Sequence, residues 1–143
     1  MSQSNYLAGK VVHQSLPQIP APPPPGAPHL KRLMLAQGEL AQFYDAEEGM
    51  RYLALIELRA GTIRGNHFHK VKVELIYVIQ GAVDLVVEDI ESKQRETIFM
   101  RTGDLALIQT GIAHALRVST PGNAIECSVS RFDAADIYRY PLA

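Results

Sequence analysis

From residue 30 onwards, short stretches rich in apolar residues are separated by turn residues, and this pattern indicates β-strands. Glycine, proline and polar turn residues separate the stretches at intervals of about ten residues, which is typical of an all-β sandwich or barrel. The pattern predicts strands at residues 30–36, 51–58, 74–80, 82–90, 95–101, 105–109, 113–119 and 124–130. It also predicts a helical turn within residues 40–48, a turn at 121–123, and a turn or short helix over 133–140.

The predicted strand at residues 74–80 is apolar on both faces. Ile76 and Val78 share the face of Glu74, whereas Leu75 and Tyr77 lie on the opposite face. A strand buried on both sides is typical of a barrel wall that is covered by a second layer or by a partner subunit. We therefore expect Ile76 and Val78 to line the interior and Tyr77 to pack against the second layer. The apolar outer faces also lead us to expect a homodimer.

Proline dominates the segment that precedes the predicted strands. Seven of the nine prolines lie within residues 17–28. Because proline fixes φ and lacks an N–H group, this segment should be extended, with polyproline II character. We therefore divide the chain into an extended Pro-rich N-terminal tail, residues 1–29, and a β-barrel domain, residues 30–143. Residues 6–16 of the tail can add an edge strand to the domain or to a neighbouring subunit.

Composition narrows the classes of function. The 143 residues suffice for one domain, and 14 Lys and Arg against 15 Asp and Glu give a net charge of −1. The sequence has no basic stripe for nucleic acid and no apolar run of about eighteen residues for a membrane helix. The N-terminus lacks the apolar segment of a secretory signal, so we expect a cytoplasmic protein. The single cysteine, Cys127, excludes an internal disulfide and should be a buried, inert thiol.

Three histidines and one glutamate are placed as candidate metal ligands. On a strand, His67 and His69 point to the same face, because side chains alternate. Glu74 begins the next strand, and His114 lies near the start of a later strand that a barrel can bring beside the first pair. Such a mixed nitrogen and oxygen site suits one divalent transition metal ion (iron, manganese, nickel, zinc or copper), with open positions for water or substrate. The residue types do not choose among these metals.

The spacing of these residues resembles the two motifs of the cupin superfamily. Gly61, His67, His69, Glu74 and Gly81 match the whole of the first motif. In the second motif the glycines and histidine are present, but its proline and asparagine are replaced. Gly103, Gly111 and His114 match the second motif, whereas Gln109 replaces its proline and Val118 replaces its asparagine. The resemblance implies a cupin (jelly-roll) β-barrel and implies that the four candidate ligands hold a metal, since neither departing position is a ligand in that family.

A weaker resemblance covers residues 64–70, Arg-Gly-Asn-His-Phe-His-Lys. This segment resembles cupins of sugar-nucleotide and capsule biosynthesis, including ketoisomerases and epimerases acting on deoxythymidine diphosphate sugars. In the ketoisomerases the His-x-His-Lys segment lies in a metal-free site, and its histidines are acid/base candidates. In that setting His67 or His69 would move protons. Arg64 can anchor an acidic substrate, because guanidinium suits phosphate and carboxylate.

Three functions follow as alternatives. The first is a metal-binding small cupin acting, as an oxygenase or isomerase, on a small oxygenated metabolite in the barrel cavity. It is favoured because Glu74 and His114 complete a ligand set that a metal-free site does not need. The second is a metal-free sugar-nucleotide isomerase or epimerase. The third is a non-enzymatic cupin that senses a small ligand. All three expect a small-molecule partner, and no membrane or nucleic acid.

Overall fold

The computed structural model describes residues 2–143, and side chains from residue 3 onwards, as an almost entirely β-stranded chain. The elements in chain order are β1 (Ser2–Tyr6), β2 (Val11–Ser15), β3 (Gln18–Pro20), β4 (Lys31–Leu35), β5 (Gly38–Gln42), β6 (Tyr52–Leu58), β7 (Ile63–Phe68), β8 (Glu74–Asp89), β9 (Arg95–Arg101), β10 (Asp104–Ile108), β11 (Ile112–Ser128), the 3₁₀ helix Ala134–Asp136 and β12 (Tyr138–Arg139). No helix in these residues has the length and apolar character needed to cross a membrane. The all-β expectation is confirmed.

Two long antiparallel strands, β8 and β11, organise the main sheet. They pair along most of their length, with register shifts between residues 118 and 124 of β11. Gly81 lies at the bend of β8 with φ +108°, and a Cβ there would lie 2.7 Å from the carbonyl oxygen of Thr120. The predicted break at this glycine is wrong, because a positive φ bends the strand without ending its pairing. The turn predicted at 121–123 is likewise an irregularity inside β11.

The remaining strands close around this pair in a jelly-roll-like barrel. β10 and β9 flank β8, whereas β6 and β7 flank β11, and β12 extends the sheet beyond β7. Inward-facing aliphatic residues from these strands fill the barrel, including Ile76 and Val78 as expected. The core comprises Ile56, Leu58, Ile76, Val78, Val83, Leu85, Val87, Ile98, Met100, Ala106, Ile108, Ile112, Leu116, Val118 and Ala124, with Leu7 and Val11 from the N-terminal segment.

The N-terminal segment takes part in the barrel wall, so an extended tail over residues 1–29 is not confirmed. β1 and β2 form an antiparallel hairpin, and β2 pairs with β10 from Ser15 opposite Asp104 to Val11 opposite Ile108. Lys10 and His13 hold the hairpin through ion pairs of 2.8 Å to Asp89 and 2.9 Å to Asp104. These strands are short and mostly polar, so the sequence pattern lacks the apolar signal that marks the other strands.

A second, three-stranded sheet covers the outer face of β8. β4 is the central strand of this sheet, with β3 parallel to it on one side and β5 antiparallel to it on the other. Tyr77 stacks on Phe43 with ring centroids 4.6 Å apart, in an apolar cluster with Leu16, Leu75 and Leu105. The predicted packing of Tyr77 against a second layer is confirmed. The helical turn predicted at 40–48 is wrong: β5 takes the start of that segment, because pairing with β4 satisfies its backbone.

Candidate functional site

The three histidines predicted as ligands lie together at one end of the barrel interior. His67 belongs to β7, and His69 is the first residue after that strand. His114 of β11 lies opposite His67 in the strand pairing. Ring centroids are 4.9 Å apart for His67 and His69, 4.9 Å for His67 and His114, and 5.5 Å for His69 and His114. One nitrogen from each ring lies within 4.8 Å of the others. The predicted convergence of these histidines is therefore present.

Gly65 brings β7 unusually close to β11 at this point. Its φ is +93°, and a Cβ added there would lie 2.7 Å from the carbonyl oxygen of His114. The strand register shifts between His114 and Ala115 at the same place. The shift sets the inward direction of His114 beside His67. A glycine two residues before a histidine was a signal for this close approach, and the sequence reasoning did not use it.

Glu74, the fourth predicted ligand, lies buried among the histidines. Its Oε2 atom is 3.1 Å from Nε2 of His114, and its Oε1 atom is 3.7 Å from Nε2 of His69 and 3.1 Å from Nζ of Lys72. Burial alone would raise the pKa of Glu74, but His114, His69 and Lys72 together lower this pKa well below its usual value. The carboxylate is therefore ionised, and it is the negative centre of the site.

The tautomers of two histidines follow from their backbone contacts. Nδ1 of His69 donates to the carbonyl oxygen of Asp136 at 2.8 Å, and Nδ1 of His114 donates to that of Ile112 at 3.1 Å. The Nε2 atoms of both rings are buried and have no hydrogen-bond partner among residues 3–143. The 3.1 Å approach of Nε2 of His114 to Oε2 of Glu74 is an ion-pair contact. Two imidazoles with Nδ1 held by carbonyls and Nε2 aimed inward have the chemistry of metal ligands.

His67 and His114 differ in their affinity for protons. Burial, followed by the nearby His114 and His69, lowers the pKa of His67 from 6.5 to about 4. Burial also acts to lower the pKa of His114, but the charge of Glu74 outweighs it and raises that pKa. His67 is therefore neutral at neutral pH in the absence of a metal ion, whereas His114 keeps its proton to a higher pH than an ordinary imidazole does.

Lys72 and Glu126 complete the polar cluster, and the sequence reasoning missed both. Nζ of Lys72 lies 2.7 Å from Oε1 of Glu126 and 4.5 Å from the centre of the Tyr52 ring. Burial, followed by the charge of Glu74, raises the pKa of Glu126. For Glu126 the available signal was its charge at an inward position of an otherwise apolar strand, because a carboxylate there needs a partner.

Asp136, in the 3₁₀ helix, holds the loop between β7 and β8 in place. Its carboxylate accepts hydrogen bonds from the backbone N–H groups of Lys70 at 2.8 Å, Val71 at 3.2 Å and Lys72 at 3.0 Å. Burial acts to raise the pKa of Asp136, but these amides lower it overall. The backbone carbonyl of Asp136 accepts from the His69 ring. Asp136 therefore positions both His69 and the loop that carries Lys72.

Four members of the cluster, His67, Glu74, His114 and Glu126, line a cavity of about 330 Å³, which is within the size range of small-molecule pockets. The cavity is lined by apolar side chains and by charged or polar ones, and Arg64 in its lining is exposed to solvent. The lining residues are Ile56, Ile63, Arg64, Gly65, His67, Glu74, His114, Leu116 and Glu126. The arrangement suits a small polar ligand with an apolar face.

Comparison with known proteins gives the following similarities. A family model described as a cupin domain matches residues 54–129, more than half of the chain. No curated protein sequence matches the chain. Among solved structures, a dTDP-6-deoxy-D-glucose-3,5-epimerase from Legionella pneumophila, in complex with dTDP-4-keto-L-rhamnose, has a TM-score of 0.75 at 13% identity, covering 96% of this chain and 76% of that one.

Two ketoisomerase structures are also similar to this chain. A 3,4-ketoisomerase from Helicobacter canadensis has a TM-score of 0.68 at 15% identity, covering 77% of this chain and 86% of that one. A TDP-quinovose 3,4-ketoisomerase from Campylobacter jejuni has a TM-score of 0.68 at 17% identity, covering 77% and 88%. At these identities the likeness shows a shared fold.

Proposed function

Since the chain belongs to the cupin domain family, we propose that its barrel cavity is the active site of a sugar-nucleotide isomerase or epimerase. The observation that carries this proposal is the placement of His67 and His114 in one open cavity, with ring centroids 4.9 Å apart. The names of the epimerase and of the Campylobacter jejuni ketoisomerase supply the proposed substrate class, which is a keto sugar linked to a nucleoside diphosphate. The resemblance of residues 64–70 to ketoisomerases points to the same class.

The proposed reaction moves a proton on the sugar. A base removes a proton from the carbon beside the carbonyl, the electron pair forms an enolate, and an acid returns a proton at a different atom or face. His67 is the candidate base, because its lowered pKa keeps the ring neutral. His114 is the candidate acid, because Glu74 favours its protonated form. Two groups whose pKa values are pushed apart are the arrangement that acid–base catalysis requires.

Arg64 is the candidate for binding the diphosphate of such a substrate. Its side chain lines the cavity and has no ion pair among residues 3–143, so the guanidinium is available to an anion. Guanidinium matches the geometry of phosphate oxygens. The sugar would then occupy the cavity, while the nucleotide remains outside it.

Turnover with a matched pair of variants tests this proposal. The purified protein is incubated with 4-keto-6-deoxy sugars linked to dTDP, and isomer formation is followed by NMR. His67→Gln should lower the rate at least ~100-fold, because it removes the base. His29→Gln is the control, since His29 lies at the surface, outside the cavity lining, and its side chain pairs with Asp45. No conversion by the parent protein, or an unchanged rate in His67→Gln, would contradict the proposal.

A divalent metal ion in the same cavity is the second candidate, and a specific observation favours it. The buried Nε2 atoms of His69 and His114 have no hydrogen-bond partner among the described side chains, and a metal ion would satisfy both. His67, His69, Glu74 and His114 would hold the ion. When bound, it would act as a Lewis acid that polarises a carbonyl oxygen of a small oxygenated substrate. The donor set suits iron, manganese, nickel, zinc or copper.

Metal content separates the two candidates. The parent protein and His69→Ala are purified from metal-replete culture and analysed by mass spectrometry. If the metal candidate holds, His69→Ala should lose most of the bound metal yet remain folded, because the core is aliphatic. His13→Ala is the control, since His13 pairs with Asp104 outside the cavity. Equal metal content in the parent and His69→Ala would contradict this candidate.

The homodimer and the cytoplasmic location expected from the sequence remain part of the proposal. Leu53 and Leu55, on the outer face of β6, are 68% and 67% exposed, and Phe99 on β9 is 55% exposed. Exposed apolar side chains on strands favour a partner surface. Light scattering at micromolar concentration should give twice the monomer mass of 15.8 kDa, and a monomer mass would contradict the dimer.

A further inference from the structure

Lys72 is a buried cation at the centre of the polar cluster. Its side chain is 7% exposed, and its ammonium lies 3.1 Å from Glu74 and 2.7 Å from Glu126. A buried ammonium is stable only when it is paired in this way. Asp136 accepts a hydrogen bond from the backbone N–H of Lys72 and so holds the main chain from which the ammonium extends.

Lys72 and a metal ion would share one carboxylate. Oε1 of Glu74 faces both Lys72 and His69, at 3.1 Å and 3.7 Å, and Oε2 faces His114 at 3.1 Å. An ion bound by the three histidines and Glu74 would therefore lie close to the ammonium. Like charges repel strongly inside a protein, where the effective dielectric constant is well below that of water.

We propose that Lys72 is a specificity-determining residue of the histidine cluster, whose ammonium neutralises Glu74 and Glu126 and thereby weakens the binding of divalent metal ions to that cluster. Without Lys72, two neighbouring carboxylates would remain beside three imidazoles, and a divalent cation would be the natural counter-charge. The inference rests on the ligand set of the second candidate function. It concerns binding to the metal-stripped protein, so it does not depend on any turnover.

The test compares lysine variants of the full chain for metal affinity. The parent, Lys72→Met and Lys70→Met are stripped with a chelator and titrated with Mn²⁺ and Zn²⁺ in competition with a metal indicator. Lys72→Met should bind at least ten-fold more tightly than the parent. Lys70→Met is the matched control and should bind like the parent, since Lys70 lies in the same loop but its ammonium rests over the Tyr138 ring at 4.4 Å.

A charge-conserving variant and a second neutral variant complete the test. Lys72→Arg keeps the cation and should bind metal no more tightly than the parent. Lys72→Gln removes the charge with a polar side chain and should match Lys72→Met. Circular dichroism without metal establishes that each variant is folded.

The outcomes distinguish this inference from the proposed functions. Tighter binding by a neutral variant supports the inference even if the parent binds no metal, which would contradict only the metal candidate. A folded Lys72→Met or Lys72→Gln that binds metal no more tightly than the parent, or not at all, overturns it. Unfolding of both neutral variants, with Lys72→Arg folded, also overturns it, because Lys72 would then serve the fold alone.

Discussion

The barrel interior has an apolar region and a polar region, and the same two strands supply both. β8 begins with Glu74 and continues inward with Ile76 and Val78, and β11 presents His114 before Val118. The aliphatic residues stabilise the fold, since burying each contributes roughly 1.5–3 kcal/mol. The polar residues carry a desolvation cost that only mutual pairing or a ligand can offset. The difference predicts that stability depends on the first region and chemistry on the second.

The largest expected effect on stability lies in the apolar region. Ile76→Ala should lower the free energy of unfolding by about 2–5 kcal/mol, because Ile76 is fully buried and the cavity left behind cannot collapse completely. Urea unfolding measures the change. Glu47→Ala, at an exposed loop position, is the control and should cost less than about 0.5 kcal/mol. A similar cost for both variants would refute the assignment of stability to this region.

Gly65 lies where β7 closely approaches β11 beside the histidines. Its substitution should have the next largest effect on stability. Gly65→Ala should cost about 2–3 kcal/mol, because Gly65 has a positive φ and the added Cβ would clash with the His114 carbonyl. Gly61→Ala should cost only about 1 kcal/mol, since Gly61 has φ +79° but open space around it. Thermal unfolding of both variants provides the measurement. Equal losses would mean that the close approach of β7 and β11 contributes little.

The polar region should make stability depend on pH through His67. The folded pKa of about 4 lies below the ordinary 6.5, so the unfolded chain binds the proton first as the pH falls. The stability that this group contributes is therefore full above pH 6.5 and is lost as the pH falls towards 4.

The variant His67→Gln lacks this contribution and isolates it. Between pH 7 and pH 4, the parent should lose about 2 kcal/mol more stability than the variant. Urea unfolding in the presence of a chelator measures both proteins. Parallel pH profiles for the two proteins would show that His67 titrates normally.

Asp136 should have the smallest of these effects on stability and a specific effect on His69. Asp136→Asn should cost about 1–2 kcal/mol, because an amide cannot accept all the loop hydrogen bonds. It should also shift the ring ¹⁵N resonances of His69, because loss of the loop hydrogen bonds displaces the 3₁₀ helix whose Asp136 carbonyl accepts from the His69 ring. Asp133→Asn is the matched control in the same segment, since the Asp133 carboxylate accepts a hydrogen bond from the Ala135 amide rather than from the loop. An unchanged His69 spectrum in Asp136→Asn would remove Asp136 from the site.

The strands and the histidine pair could be predicted from the sequence because the signals that mark them are local. Alternation reports which face of a strand is buried, and the two-residue spacing of His67 and His69 places both on one face. The inward position of Lys72 was not accessible in this way, because Asp136, 64 residues further along the chain, holds its loop. Pairing of the polar β1–β2 hairpin with β10 is equally non-local, and it leaves no period-2 apolar signal.

The most direct test of the central claim, that the polar region moves protons on a keto sugar, is solvent exchange catalysed by chelator-treated protein. A keto sugar linked to dTDP is incubated in D₂O, and deuterium at the carbons beside the carbonyl is measured by NMR. We expect the parent to incorporate deuterium without added metal and His67→Gln to lose at least ~100-fold of that rate. Exchange that disappears on chelation and returns with a divalent ion, or that persists in His67→Gln, would contradict the account.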